Sequence, residues 1–232
     1  MKNGSRNPLA VLVHGAWADG SNWKKVIETL HRKDFDVLSA QIPLTSLADD
    51  VAAVRRALAV HKRPLILVGH SYGGAVITAA GAGNADVKAL VYIAAIVPDE
   101  GETVGEVFQR VAPHPQAPQL KPDANGFLWV DVEAFRQAIA PDAAVGETAL
   151  LAATQKPIAV QCLGEPMSKP AWREKPTWFL IAESDRMVSP DTQRMTAERM
   201  ASKVVSLPVD HTPLLSAPDA VSDLIVNAAQ AV

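Results

Sequence analysis

The feature that most constrains this fold is an alternation of short apolar runs with amphipathic segments, in residues 1–96 and again in residues 173–232. The apolar runs predict strands at Leu9–Val13, Asp36–Ala40, Leu65–Val68, Val87–Ala94, Thr177–Ala182 and Lys203–Leu207. The segments between them predict helices at Trp23–Arg32, Leu47–Val60, Ala75–Ala82, Pro190–Ala201 and Ala220–Ala229. Apolar strands joined through helices indicate an α/β protein with a parallel sheet covered on both faces.

The alternation stops in the proline-rich stretch 97–172. Two helices and a short apolar piece are predicted within it, at Val132–Ala140, Ala143–Thr154 and Phe127–Val130. Because the stretch is too long for a loop, we interpret it as a lid inserted over the carboxyl edge of the sheet. Residues 1–96 and 173–232 then form the core of a single α/β domain.

Composition narrows the class of protein. The 232 residues carry a net charge of −3 with no basic stripe or basic amphipathic helix, which argues against nucleic-acid and membrane partners. No apolar run approaches the length of about 18 residues that a membrane span needs. The first residues lack a secretory signal, so we expect a cytoplasmic protein; a leader removed beforehand stays an open alternative. The single cysteine, Cys162, excludes an internal disulfide and is interpreted as a buried apolar residue. A homodimer also stays open.

A glycine-rich turn follows the third predicted strand, with the sequence Gly69-His70-Ser71-Tyr72-Gly73. A serine on a sharp strand-to-helix turn has strained backbone angles and an exposed hydroxyl, which is the geometry of a nucleophile elbow. We expect Gly69 and Gly73 to prevent collisions across that turn. The sequence therefore predicts Ser71 as a catalytic nucleophile.

The segment His14-Gly15-Ala16-Trp17 directly follows the first predicted strand. Acyl transfer needs backbone N–H groups directed at the developing oxyanion, and we assign them to Ala16 and Tyr72. His14 is interpreted as a structural residue that orients this loop. Trp17 is interpreted either as a wall of the substrate crevice or as a core residue.

The base that activates the serine is predicted to be His211, which follows the last strand and precedes the closing helix. A loop after a strand lies at the same edge of the sheet as the nucleophile and can bring a base within hydrogen-bonding distance. His70 is expected to turn away from the crevice. His114, in the proline-rich stretch, is the alternative base.

The carboxylate that orients the base should lie between Ser71 and His211 in the chain. Asp185 directly follows the strand Thr177–Ala182 and is the predicted acid. Glu183 and Asp99 are the alternatives.

Aromatic residues of the predicted lid are candidates for contacts with the substrate. We assign this role to Trp129, Phe127 and Phe135 together with Trp17, and Phe108 and Leu150 are further candidates. The alternative for each is that it only packs the lid onto the sheet. An apolar wall favours small, neutral esters or lactones.

The motifs HGAW at 14–17, GHSYGG at 69–74, SDRMVSP at 184–190 and DHTPLLSAP at 210–218 resemble those of the α/β-hydrolase superfamily. Within it the chain is similar to bacterial esterase-like proteins related to plant methyl esterases and hydroxynitrile lyases. The resemblance implies a mostly parallel six-stranded sheet. It also implies a triad of Ser71, Asp185 and His211, with oxyanion N–H groups from Ala16 and Tyr72.

The reaction predicted from these residues is hydrolysis of a carboxylic ester, without metal or organic cofactor, acting on a small-molecule substrate. Thr212 stands where the cyanohydrin lyases have a lysine, which argues against lyase chemistry. A serine rather than an aspartate nucleophile argues against dehalogenases and epoxide hydrolases. Two alternatives remain: a ligand-binding protein with little turnover, and perhydrolysis or cofactor-free oxygenation in the same pocket.

Overall fold

The computed structural model describes residues 7–232, which contain a six-stranded sheet with all strands parallel. The strands are β1 (Leu9–Val13), β2 (Val37–Ala40), β3 (Leu65–His70), β4 (Val87–Ile93), β5 (Phe127–Leu128), β6 (Ile158–Ala159), β7 (Thr177–Ala182) and β8 (Lys203–Leu207). The order in the large sheet is β2-β1-β3-β4-β7-β8, and β5 and β6 form a separate antiparallel pair. The predicted six-stranded α/β architecture is therefore confirmed.

Ten α-helices are assigned within the described residues. They are α1 (Lys24–Arg32), α2 (Leu47–Ala59), α3 (Gly73–Ala80), α4 (Val104–Phe108), α5 (Val132–Ala134), α6 (Val145–Thr154), α7 (Gln161–Gly164), α8 (Pro190–Arg199), α9 (Pro213–Ser216) and α10 (Pro218–Gln230). The predicted helix Val132–Ala140 is α-helical only in its first turn and continues as a π-helical turn, Phe135–Ile139. Helix α3 begins at Gly73 rather than at Ala75, because the turn at Ser71 leads directly into it.

The residues of β1 show why both faces of the sheet are covered. Leu9, Val11 and Val13 point into one hydrophobic cluster, whereas Ala10 and Leu12 point into the other. Successive side chains of a strand point to opposite faces, so a strand buried throughout needs helices on both sides. Helices α1 and α10 cover one face, and α2, α3 and α8 cover the other. Each fully buried leucine or valine contributes about 1.5–3 kcal/mol to stability.

The parallel strands bring the predicted functional loops to one edge. Ala16 follows β1, Ser71 follows β3, Asp185 follows β7 and His211 follows β8. In an open parallel sheet the crevice outside the carboxyl ends of the strands is where ligands bind. The topology thus supplies a common edge for residues that are far apart in the chain.

Residues 97–172, called the insertion below, lie between β4 and β7 and contain α4 to α7 and the β5-β6 pair. In that pair Leu128 lies opposite Ile158. The backbone N–H of Ala159 donates to the carbonyl oxygen of Leu44 at 2.9 Å, and this hydrogen bond connects the insertion to the core. Across residues 7–232, no helix combines the length and the apolar character needed to cross a membrane.

Candidate active site

The turn that carries Ser71 requires its glycines. Ser71 has a φ of 53°, a left-handed conformation that costs a non-glycine residue energy. A Cβ on Gly69 would lie 2.5 Å from the carbonyl oxygen of Gly73. A Cβ on Gly73 would lie 2.5 Å from the carbonyl oxygen of Val13. The absence of a side chain at Gly73 therefore lets the end of β1 pack closely against the turn. Gly15 is constrained in the same way, because its Cβ would lie 2.9 Å from that of Ser71.

Three buried side chains form a continuous chain of hydrogen bonds at the sheet edge. The Ser71 hydroxyl donates to His211 Nε2 at 3.0 Å, and His211 Nδ1–H donates to Asp185 Oδ2 at 2.7 Å. The carboxylate can only accept, so it fixes the proton on Nδ1 and leaves Nε2 free to accept. In this tautomer the imidazole is a base directed at the serine hydroxyl.

The carboxylate of Asp185 is held by donors on both oxygens. Its Oδ1 accepts the backbone N–H groups of Met187 at 2.8 Å and Val188 at 2.9 Å. Its Oδ2 accepts the side-chain amide of Gln193 at 2.8 Å as well as the imidazole. The Gln193 amide oxygen in turn accepts the N–H of Ala182. Gln193 was not predicted as part of the site. Its one signal in the sequence is its position on helix α8, eight residues after Asp185.

The alternative acids and base lie elsewhere. Glu183 pairs with Arg194 at 2.5 Å on the surface, and Asp99 pairs with Arg173 at 2.7 Å. His114 is exposed in the insertion, and its Nδ1 accepts a backbone N–H two residues on. None of these three groups contacts His211 or Ser71 among the described hydrogen bonds.

Two further histidines are buried beside the site as neutral rings. His14 donates from Nδ1 to the carbonyl of Gly15 at 2.9 Å and accepts the N–H of Ile42 on Nε2. Burial lowers its pKa to about 4. His70 donates from Nε2 to the main-chain carbonyl of His211 at 2.7 Å, and burial, with a smaller contribution from His211, lowers its pKa to about 3. His70 therefore holds the loop of the base, a contact that the sequence analysis did not predict.

Ala16 and Tyr72, the residues predicted to supply the oxyanion donors, both line the cavity above Ser71. The backbone N–H of neither residue is assigned an acceptor within residues 7–232. The Tyr72 side chain is anchored from below, because its hydroxyl donates to Asp50 Oδ2 at 2.6 Å while Asp50 Oδ1 accepts the N–H of Leu44. Burial raises the pKa of Asp50. Cys162, buried as predicted, directs its thiol at the same carboxylate at 3.8 Å, and burial raises its pKa to about 12.

The cavity above Ser71 is small and apolar. Its volume is about 40 Å³, and no Asp, Glu, Lys or Arg lines it. The core contributes Trp17, Met187 and Val188 to its wall. The insertion contributes Val104, Phe108, Leu120, Leu128, Ile158 and Leu163. In the part of the chain that is described, no group of three or more His, Cys, Asp or Glu side chains could hold a metal.

The structure separates the aromatic residues that we assigned to substrate contact. Trp17 lines the cavity, has a φ of 55°, and donates its indole N–H to the carbonyl of Leu128 at 2.9 Å. Phe127 and Trp129 do not line the cavity, so its geometry does not support their predicted contact with the substrate. Leu128 faces the cavity, and neighbouring side chains of an extended chain point to the opposite side. Trp129 is instead 53% exposed and donates to Asp123.

Phe135 also lies outside the cavity. It packs in a hydrophobic cluster with Val130, Ile139 and Met187, so the geometry does not support its predicted contact with the substrate. Leu150 is 63% exposed on α6. Phe108, the further aromatic candidate, is the insertion's aromatic residue in the cavity wall.

Comparison with known proteins identifies the family of this chain. The model of the alpha/beta hydrolase family matches residues 10–224. The chain is 26% identical to the alpha/beta hydrolase nvfD of Aspergillus novofumigatus, over 96% of each chain. Its structure superposes on a pyrethroid hydrolase from Sphingobium faniae with a TM-score of 0.82 at 23% identity, covering 97% of this chain and 98% of that one. A methylesterase from Arabidopsis gives 0.79 at 18% identity, covering 97% and 100%. The match spans nearly the whole chain, and the protein belongs to the alpha/beta hydrolase family.

Proposed function

We propose that this protein is a serine esterase that hydrolyses an uncharged carboxylic ester or lactone of small-molecule size through an acyl-enzyme intermediate. The observation that carries the proposal is the hydrogen-bond chain from Ser71 through His211 to Asp185, at 3.0 and 2.7 Å. A serine is a weak nucleophile until an adjacent base takes its proton, and this geometry meets that need.

In the proposed first step His211 Nε2 takes the proton of Ser71 as Oγ forms a bond to the ester carbonyl carbon. The carbonyl electron pair moves onto the oxygen, and the N–H groups of Ala16 and Tyr72 donate to that oxyanion. Asp185 stabilises the imidazolium and keeps its orientation. Collapse of the intermediate breaks the bond to the alcohol, which leaves with the proton from His211.

In the second step water attacks the acyl-enzyme while His211 takes a proton from the water. The Ser71 oxygen then leaves with that proton, and the carboxylic acid is released. Each oxyanion donor contributes about 10²–10³ in turnover in enzymes of this kind.

The cavity supports an uncharged substrate. Its wall offers no cation to pair with a carboxylate substrate and no anion to pair with an amine. Burying an unpaired charge there would cost several kcal/mol. We further propose that the insertion acts as a lid, since six of its apolar side chains close the cavity over Ser71.

Hydrolysis of p-nitrophenyl acetate tests the proposal. Ser71→Ala should lower kcat by about 10⁴–10⁶-fold. Ser184→Ala, at an exposed serine beside the acid, is the matched control and should keep full activity. A fluorophosphonate probe should label the unaltered protein and not the Ser71 variant. Unchanged turnover in Ser71→Ala, or no labelling of the unaltered protein, would refute the mechanism.

A further inference from the structure

The cavity above Ser71 shares a wall with a larger groove on the outside of the insertion. The groove has a volume of about 790 Å³, compared with about 40 Å³ for the cavity. The side chains that line both are Phe108, Leu120, Leu128 and Leu163. A single layer of apolar side chains therefore separates the reacting serine from the groove.

The cavity by itself is too small for most esters. A water molecule needs about 10–15 Å³ of such space, so the cavity holds roughly three or four atoms of that size. An acetyl group and the ester oxygen would fill it. Any longer group on the acyl or alcohol part must extend past the shared wall, and the groove is the space directly behind it.

Like the cavity, the groove carries no charged side chain in its lining, but the polar side chains of Gln109 and Gln119 also contribute to it. No Asp, Glu, Lys or Arg lines it, and His114 is its titratable residue. Its lining includes four prolines, Pro113, Pro115, Pro118 and Pro122. Proline has a fixed φ and no N–H, so these residues present apolar surface without a backbone donor to a ligand. An uncharged, apolar chain or ring fits both spaces.

The shared wall is held unevenly. Phe108 ends α4, and Leu163 lies on α7. The two helices pack closely, as a Cβ on Gly105 would lie only 3.2 Å from the carbonyl oxygen of Leu163. Leu120 lies instead in the segment 109–126, where the structure assigns no helix or strand. Segments with few backbone hydrogen bonds open at low free-energy cost. Leu120 is therefore the side chain of the wall that can move aside at least cost.

From these observations we propose that the groove is a second substrate subsite, which receives the apolar arm of an uncharged ester, and that Leu120 is the specificity-determining residue between it and the cavity. This inference rests on the proposed esterase function. It adds a substrate class: esters with an apolar arm of several carbons on one side of the carbonyl.

Three esters test the subsite: methyl acetate, and the isomers methyl heptanoate and hexyl acetate, which carry five further methylenes on the acyl and the alcohol side. Acid release is followed by titration at constant pH. Each methylene buried in the groove should raise kcat/KM about two- to fourfold, so one or both long esters should exceed methyl acetate at least about 30-fold. The isomer that gains identifies which part of the ester enters the groove.

Two variants at one position make the test specific. Leu120→Trp should fill the passage and lower the preference for the long ester, measured as the ratio of its kcat/KM to that of methyl acetate, at least about tenfold. Leu120→Ala should keep or raise the preference. Leu150→Trp, on the exposed face of α6, is the matched control and should leave it unchanged.

The outcomes separate the two proposals. Ser71-dependent hydrolysis of methyl acetate without a gain for either long ester would overturn the subsite and leave the esterase function standing. A gain that Leu120→Trp does not reduce would also overturn it. Absence of any Ser71-dependent hydrolysis would overturn both.

Discussion

The core and the insertion contribute to the same cavity with different kinds of contact. At the strand ends, Ser71, His211 and Asp185 are joined by hydrogen bonds. Behind them, His70 bonds to the main chain of His211, and Gln193 bonds to the carboxylate of Asp185. The insertion adds apolar side chains that meet the cavity without a polar contact to these groups. Hydrogen bonds fix distance and direction, whereas apolar contacts mainly fix volume. In our proposal the core therefore carries out the chemistry and the insertion selects the substrate.

The two regions meet through a few directional contacts close to the site. The Trp17 indole donates to the carbonyl of Leu128, and the N–H of Asp142 donates to the buried carboxylate of Asp210 at 3.0 Å. The first contact joins the loop after β1 to the insertion, and the second joins the loop of His211 to it. Substitutions on either side of these contacts should therefore show how far catalysis by the core depends on its contacts with the insertion.

The largest effect is expected in the core. Asp185→Asn replaces an acceptor by a group that can present a donor to His211 Nδ1, which favours the wrong tautomer, and kcat should fall about 10⁴-fold. Ester hydrolysis under saturating substrate measures it. Glu183→Gln, at the exposed acid near by, should change kcat less than about twofold. A larger loss in Glu183→Gln than in Asp185→Asn would reverse the assignment of the acid.

Acid should weaken the core through its buried neutral histidines. The pKa values of His14 and His70 in the folded protein, about 4 and about 3, lie below the ordinary value of 6.5. The unfolded chain therefore binds more protons between these values, and the free energy of unfolding falls as the pH drops below 6.5. At pH 5 each histidine should cost about 2 kcal/mol relative to neutral pH.

Urea denaturation from pH 8 to pH 5 measures this pH dependence. His70→Gln should make the curve shallower, and His31→Asn, at an exposed position, should not change it. The prediction fails if His70→Gln has the same slope as the unaltered protein.

A smaller effect is expected at the buried bond between Tyr72 and Asp50. Tyr72→Phe leaves the buried Asp50 carboxylate without its 2.6 Å donor, and the free energy of unfolding should fall by about 1–3 kcal/mol. The lost bond also anchors the residue whose backbone N–H donates to the oxyanion in our proposal. We therefore expect kcat to fall with KM little changed. The other tyrosine offers the control: Tyr92→Phe removes a buried hydroxyl bonded to Thr78 and should lower stability without lowering kcat. Equal losses of kcat in both variants would assign the effect to stability alone.

The smallest effect is expected at the contact between the two regions. Trp17→Phe keeps an aromatic ring but removes the donor to the Leu128 carbonyl. A net hydrogen-bond contribution of roughly 1 kcal/mol corresponds to a fall in kcat/KM of about fivefold. Trp129→Phe loses its exposed bond to Asp123 and should leave kcat/KM unchanged. A loss in Trp129→Phe as large as in Trp17→Phe would mean that the whole insertion, rather than this contact, positions the loop.

Much of the core follows from sequence because its signals are local. A continuous apolar run such as Leu9–Val13 must be buried on both faces, and a serine between glycines after such a run has few conformations available. The third strand was predicted to end at Val68, but β3 continues to His70 and leads directly into the turn. The insertion was less predictable, because a two-residue strand such as β5 carries no periodicity. Leu128 could be chosen over Phe127 and Trp129 only from the way β5 docks.

The sequence by itself determined the alternation of strands and helices, the elbow at Ser71 and the chain order of the candidate acid and base. Only the tertiary structure decided that His211 lies 3.0 Å from a serine 140 residues away, that His70 and Gln193 hold this site in place, and that Phe108 rather than Phe135 faces the cavity. The physical reason is that backbone preferences and burial patterns act within a few residues of the chain. The direction of a side chain across a cavity depends on the packing of elements that the chain brings together only when it folds.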